Sequence, residues 1–151
     1  MSIIWGHTLR RAMAAAASGF PRALECSRKP AMERFLDFDF VAAQRLPNVG
    51  DSHPAASLHG HTFTGRVRLA GDVDAAAGWL IDPADLKAAV DGVLADIDHH
   101  YLNELPDMEN PSTETICRYL RDRLAARLAG RVEVEIWENP TVGCATEAPR
   151  R

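Results

Sequence analysis

The stretch "FLDFDFVAA" at residues 35–43 alternates apolar and acidic side chains, and this alternation decides the class of fold. In an extended chain, Leu36, Phe38 and Phe40 point to one side, while the two aspartates between them point to the other. A period of two residues is typical of a β-strand with one buried face and one face in water. The stretch therefore predicts a first strand whose phenylalanines face a core.

Two later segments show the same alternation. In "HTFTGRVRLAG" at 61–71, Phe63, Val67 and Leu69 share one side, and "RVEVEIWE" at 131–138 alternates valine and isoleucine with glutamate. Gly65 interrupts the apolar side of the earlier segment and is predicted to mark a β-bulge. These segments predict a second and a third strand.

Two helices are predicted between the second and third strands. The first begins at Asp82 as N-cap with Pro83 behind it, and the second begins at Ser112 or Thr113 and ends before Gly130. Their apolar stripes are Leu86, Ala89, Val90, Val93, Leu94 and Ile97 in the first, and Ile116, Tyr119, Leu120, Leu124 and Leu128 in the second. An early strand pair, two helices and a closing strand predict an α+β fold with an antiparallel sheet covered on one face.

Composition narrows the classes of function. The 151 residues suit one domain, and the net charge of -4 gives no basic face for nucleic acid. No apolar run approaches the length of a membrane span. The three cysteines are widely spaced and odd in number, which favours reduced thiols in the cytoplasm over a disulfide framework. A small-molecule partner is expected.

Residues 1–31 differ from the rest of the chain, because they hold five basic residues and one acidic residue. A targeting or interaction arm is one interpretation. The favoured one is a disordered basic leader, with the folded domain at 32–151.

The stretch "SLHGHTF" at 57–63 places His59 and His61 two residues apart, so that on a strand both imidazoles project to one side and could bind one metal ion. The stretch "DHH" at 98–100 offers further imidazole and carboxylate groups. Hydrogen-bonded histidines at the start of an ordinary strand are the alternative, and the spacing alone leaves both open.

Six motifs occur in order along the chain: "AAQRLPN", "LHGHTF", "GWLIDPADLK", "DHHYLNELP", "ENPSTE" and "WENPTVGC". Together they resemble the 6-pyruvoyltetrahydropterin synthase and 6-carboxytetrahydropterin synthase family from Met32 to Cys144. The resemblance implies the tunnelling fold, a four-stranded antiparallel sheet with two helices on one side, assembled as a homo-oligomer in rings that are often hexamers. It also implies a zinc ion and the substrate dihydroneopterin triphosphate, bound between subunits on a route to queuosine and related deazapurines.

Matching motif by motif, the resemblance assigns roles to individual residues. His59 and His61 correspond to two zinc ligands, and Asp98 and His99 to the acid and imidazole of a proton relay. Glu138 corresponds to the carboxylate that accepts hydrogen bonds from the guanidine-like edge of the pterin. Ser112 and Thr113 lie where the family helps to hold the pterin ring, although both are equally good helix caps.

Two positions depart from the family pattern. Gln44 stands where the third histidine ligand is expected, and an amide oxygen is a weaker ligand for zinc. Ala55 stands where a cysteine acts as general base. His53 is the nearby ionisable group that could replace the ligand or the base, unless it is a solvated loop histidine. Cys144 is expected to pack in the turn after Glu138.

The expected function is a 6-carboxytetrahydropterin synthase-like, zinc-dependent lyase. The two departures leave an alternative, a catalytically impaired pterin-binding paralogue that acts as a sensor or partner subunit. A changed chemistry on a related pterin is the third hypothesis.

Overall fold

The computed structural model describes residues 32–146, so the prediction for the basic leader lies outside the described residues. Its strands are β1 (Met32–Gln44), β2 (His59–Gly71), β3 (Arg131–Asn139) and β4 (Val142–Ala145), and its helices are α1 (Pro83–Leu94) and α2 (Thr113–Ala125). The strands form one antiparallel sheet in the order β1, β2, β3, β4. The predicted α+β fold is confirmed. The alternation did not predict β4, which is only four residues long. Cys144 lies in this strand and not in the predicted turn.

The core lies between one face of the sheet and the two helices. Phe40 and Phe63 are register partners on β1 and β2, and their rings stack with centroids 4.9 Å apart. Both are almost fully buried, and each such side chain contributes about 2 to 3 kcal/mol through removal of apolar surface from water. The other large side chains of this core include Leu69, Leu86, Ile97, Leu102, Ile116, Leu120, Leu124 and Ile136.

The opposite face of the sheet holds cross-strand ion pairs. The Arg66 guanidinium forms two hydrogen bonds to the Asp37 carboxylate, and Arg68 bonds to Glu33 and Glu135. The acidic alternation of β1 and β3 is therefore matched by arginines from β2, which lies between them.

The predicted bulge at Gly65 is wrong. The register between β1 and β2 runs without a shift from the Met32 and Gly71 pair to the Gln44 and His59 pair. Gly65 lies opposite Phe38, and a Cβ atom there would sit 2.4 Å from the Phe38 ring. The glycine makes room for this ring. The register shift of the sheet lies instead between Trp137 and Asn139, beside Glu138.

Each helix begins at an identified cap. The Asp82 carboxylate accepts a hydrogen bond from the Ala84 N–H at 2.8 Å, and the Ser112 hydroxyl accepts one from the Thr115 N–H at 3.4 Å. Ser112, not Thr113, is therefore the cap of α2. Within residues 32–146, neither helix is long and apolar enough to cross a bilayer.

Candidate active site

The end of β1 and the start of β2 place three predicted metal ligands side by side. The register pairs Gln44 with His59 and Ala42 with His61, so Gln44 and both histidines share the face of the sheet that the helices cover. They line a cavity of about 470 Å³. Thr113 and Glu138 line the same cavity from α2 and β3. The predicted metal ligands and the predicted pterin-binding residues therefore meet in one site.

The two histidine rings lie close together at the start of β2. Their ring centroids are 5.2 Å apart, and the ring planes are nearly perpendicular. The Nδ1 atom of His59 lies 2.8 Å from the Ser57 carbonyl oxygen, which accepts a hydrogen bond from Nδ1–H. In the neutral ring the proton is then on Nδ1, and the lone pair of Nε2 is free to bind a metal.

Gln44 contributes an oxygen that lacks a partner. The side chain is 2% exposed, and its Oε1 atom has no hydrogen-bond partner. A buried polar atom without a partner costs about 1 to 3 kcal/mol, so this position suits an amide that binds a ligand. Within residues 32–146, no three His, Cys, Asp or Glu side chains form a group that could hold a metal. A three-ligand set at this site therefore requires Gln44.

Glu138 is oriented by α2. The Thr113 hydroxyl donates a 2.9 Å hydrogen bond to Oε2 of Glu138, which leaves Oε1 for a ligand. Cys144, next to this pair on β4, donates from Sγ to the Thr113 carbonyl oxygen at 3.3 Å, and partial burial raises the pKa of its thiol. Ser112 caps the helix and Thr113 positions the carboxylate, so these adjacent hydroxyls have different roles. The sequence did not indicate this contact, because the two residues are 25 positions apart.

Asp98 and His99 lie outside this cavity. Both attach to β1, the edge strand: the Asp98 carboxylate accepts from the Val41 N–H at 2.9 Å, and the His99 N–H donates to the Val41 carbonyl oxygen. Nδ1 of His99 is 2.9 Å from Oδ1 of Asp98, and the His99 side chain is 76% exposed. The Val41 N–H, together with the His99 ring, holds the pKa of Asp98 below its ordinary value. The carboxylate and ring form the predicted pair, but at the surface, where segment 98–101 bonds to the edge of β1.

Ala55 and His53 form another part of the cavity wall. Ala55 has no ionisable group. The Nδ1 atom of His53 accepts a hydrogen bond from the Ala55 N–H at 3.1 Å, so the proton of the neutral ring is on Nε2. This is the opposite tautomer to His59. In this arrangement His53 offers no Nε2 lone pair to a metal or to a substrate proton. Leu46, Pro54 and Glu114 also line the cavity, and only their closeness to the motifs could have indicated them.

The family model for 6-pyruvoyl tetrahydropterin synthase matches residues 35–149. The chain belongs to the 6-pyruvoyl tetrahydropterin synthase family. The match includes every cavity residue named above. A 6-carboxy-5,6,7,8-tetrahydropterin synthase from Synechocystis is 33% identical over 77% of this chain and 93% of its own length. A dihydroneopterin monophosphate aldolase from Pyrococcus furiosus is 37% identical over 60% of this chain and 78% of its own length.

Solved structures agree with this fold. The 6-pyruvoyl tetrahydropterin synthase of Caenorhabditis elegans superposes with a TM-score of 0.70 over 78% of this chain and 95% of its own length, at 23% identity. That likeness shows the tunnelling fold. The family and its named relatives place the chain among the lyases of pterin biosynthesis.

Proposed function

We propose that the protein is a zinc-dependent lyase, similar to 6-carboxytetrahydropterin synthase, that acts on dihydroneopterin triphosphate on the route to queuosine or a related pterin product. The main support is the single cavity that brings His59, His61 and Gln44 together with Glu138. The net charge of -4 supports a small-molecule substrate over nucleic acid. The free thiols of Cys117 and Cys144 support a reducing compartment such as the cytoplasm.

The donor set fits zinc. His59 has its Nε2 lone pair free, His61 lies beside it, and the Gln44 oxygen has no protein partner. Bound there, zinc would supply a Lewis acid that polarises the side-chain hydroxyls of the pterin substrate. Because one ligand is an amide oxygen, we expect weaker binding than by three imidazoles.

Changing Gln44 should have opposite effects on stability and on zinc binding. We expect Gln44→Met to stabilise the metal-free protein against urea by about 1 to 2 kcal/mol, because it removes a buried amide oxygen that lacks a partner. The same change should weaken zinc binding, whereas Gln44→His should strengthen it. Urea unfolding in the presence of a chelator, together with zinc titration, measures both. A less stable metal-free Gln44→Met protein would show that the amide is satisfied in the fold.

Glu138 binds the pterin in this proposal. Its Oε1 atom is free to accept from the pterin's guanidine-like edge, and Thr113 fixes the orientation of the carboxylate. We expect Glu138→Gln to weaken pterin binding by about 10- to 100-fold, because hydrogen bonds to a charged acceptor are the strong ones. The matched control is Glu133→Gln, which lies on the same strand with its side chain paired to Arg131. Fluorescence titration with a pterin measures the affinity, and equal affinities for the two variants would reject the role of Glu138.

The location of Asp98 and His99 supports a site shared between copies of the chain. Neither residue lines the cavity of its own chain, and the His99 side chain is exposed, so a second copy can contact it. We propose that a homo-oligomer, in the ring form that the family resemblance implies, brings this pair to the cavity of a neighbouring copy. Asp98 would orient the His99 ring through Nδ1, and the other ring nitrogen would move the proton of the substrate side chain.

Ala55 supports a second candidate. The cavity wall has no ionisable group at this position, and loss of a positioned base costs about 10² to 10⁴ in rate. An impaired pterin-binding paralogue, acting as a sensor or partner subunit, is consistent with this.

Similarity to the Pyrococcus furiosus aldolase supports a third candidate, cleavage of dihydroneopterin monophosphate.

Product analysis separates these candidates. Purified protein is incubated with dihydroneopterin triphosphate and, separately, with dihydroneopterin monophosphate, and the products are identified by mass spectrometry. We expect conversion of the triphosphate to a 6-carboxytetrahydropterin. Conversion of the monophosphate alone would favour the aldolase, and binding without conversion would favour the impaired paralogue.

A further inference from the structure

We propose that His53 is a substrate-binding residue. Its Nε2–H donates a hydrogen bond to a phosphoryl oxygen on the side chain of the substrate. This inference rests on the proposed function, because it assumes that a phosphorylated dihydropterin occupies the cavity. It gives the protein a preference for phosphorylated over free dihydroneopterin.

The exposed His53 ring is hydrogen-bonded to the backbone of its own turn. Its Nδ1 atom accepts from the Ala55 N–H, and its carbonyl oxygen accepts from the Ala56 N–H at 2.9 Å. The turn is also tied to the end of β1, because the Leu46 N–H donates to the Ala55 carbonyl oxygen at 2.8 Å. The backbone of the turn is therefore attached to the strand that holds Gln44.

The same hydrogen bond decides what His53 can do. With Nδ1 occupied as an acceptor, the neutral ring has its proton on Nε2, and no hydrogen bond from another described residue reaches that atom. In this neutral tautomer the Nε2–H group is a hydrogen-bond donor and not a proton acceptor.

The cavity lining is acidic, so an anionic group that binds there needs a hydrogen-bond donor. Glu114 and Glu138 are carboxylates, and no lysine or arginine is among the cavity residues of the described chain. A phosphoryl group entering this cavity meets two acidic side chains and needs N–H donors. An N–H donor to a charged oxygen makes a strong hydrogen bond, which confers selectivity for that oxygen.

Two substitutions separate donation to a ligand from support of the turn. In His53→Asn the amide oxygen can still accept from the Ala55 N–H, but the side chain is too short to reach the position of Nε2. In His53→Gln the amide N–H₂ can reach that position, although the turn bond is lost. The full chain is titrated with dihydroneopterin and with dihydroneopterin monophosphate, and ¹⁵N NMR of the imidazoles reports which ring nitrogen of His53 holds the proton.

We expect the wild-type protein to bind the monophosphate about tenfold tighter than free dihydroneopterin. His53→Asn should abolish this preference without changing the affinity for free dihydroneopterin, and His53→Gln should retain most of it. The NMR spectrum should show the proton on Nε2 of His53 and on Nδ1 of His59.

Three results would overturn the inference while leaving the proposed function intact: equal wild-type affinity for both ligands, an equal loss for both in His53→Asn, or a proton on Nδ1 of His53. If the wild-type protein binds neither ligand and also fails to bind dihydroneopterin triphosphate, the proposed function itself is rejected, and this inference with it.

Discussion

Replacing His59 with alanine is expected to abolish stoichiometric zinc binding and turnover together. His59 presents a free Nε2 lone pair beside His61, and its loss leaves one imidazole and one amide oxygen, too few ligands for a stable zinc site. The zinc affinity should fall by more than about 100-fold, which exceeds the typical effect of changing a residue that merely supports a metal ligand. Metal analysis of the purified protein and a zinc titration measure the loss.

The control for this variant is His100→Ala. His100 is exposed and bonds through Nδ1 to the Asp98 carbonyl oxygen, away from the cavity, so its removal should leave one zinc per chain. Circular dichroism should show the same fold for both variants. A His59→Ala protein that retains stoichiometric zinc would exclude this residue as a ligand.

Replacing His99 with alanine should lower turnover by about 10² to 10⁴, the usual contribution of a positioned acid or base, without loss of zinc or pterin. The reason is that the exposed His99 side chain does not line its own chain's cavity. Steady-state kinetics and pterin titration separate the two effects. A parallel loss of pterin affinity would mean that the ring binds the substrate and does not move its proton.

Mixing the two inactive variants tests whether the site is shared between copies. If the His59→Ala and His99→Ala chains assemble together at random, about a quarter of the sites combine an intact cavity with an intact Asp98 and His99 pair from a neighbour. Activity should therefore reappear after joint refolding. Mixed oligomers without activity would show that each chain supplies both parts of its own site.

Much of this fold follows from local patterns in the sequence. The alternation of Phe38 and Phe40 with aspartates predicts β1, and the Asp82 and Pro83 pair predicts the first residue of α1. These features depend on neighbours within a few residues, so a single sequence contains them. The four-residue strand β4 is too short to show a clear alternation, and only the family resemblance indicated it.

Features that depend on distant parts of the chain could not be predicted. Gly65 has the appearance of a bulge until the Phe38 ring across the sheet is known to occupy the missing Cβ position. Ser112 and Thr113 are equivalent candidates for a cap until Glu138 is placed beside Thr113. The motifs that suggested one catalytic site also gave no sign that Asp98 and His99 lie apart from the histidines on β2. Spacing along a sequence contains no such information.

The opposite tautomers of His53 and His59, two of the three cavity histidines, could be assigned only from the structure. His59 and His53 are six residues apart in one loop and strand, and both were candidate ligands. Their Nδ1 atoms bond to a carbonyl oxygen and to an N–H group, respectively, so only His59 has an Nε2 lone pair to offer. The backbone partner of each ring, and not the presence of the ring, separates a metal ligand from a hydrogen-bond donor.

We expect one cavity to bind both the metal and the pterin. The most direct test replaces zinc with Co²⁺, whose visible absorption reports its ligands, and then titrates the protein with a pterin. We predict that the cobalt spectrum changes on pterin addition in the wild-type protein, and that Glu138→Gln shifts this change to higher pterin concentrations. A cobalt spectrum that stays unchanged when the protein is saturated with pterin would contradict the account.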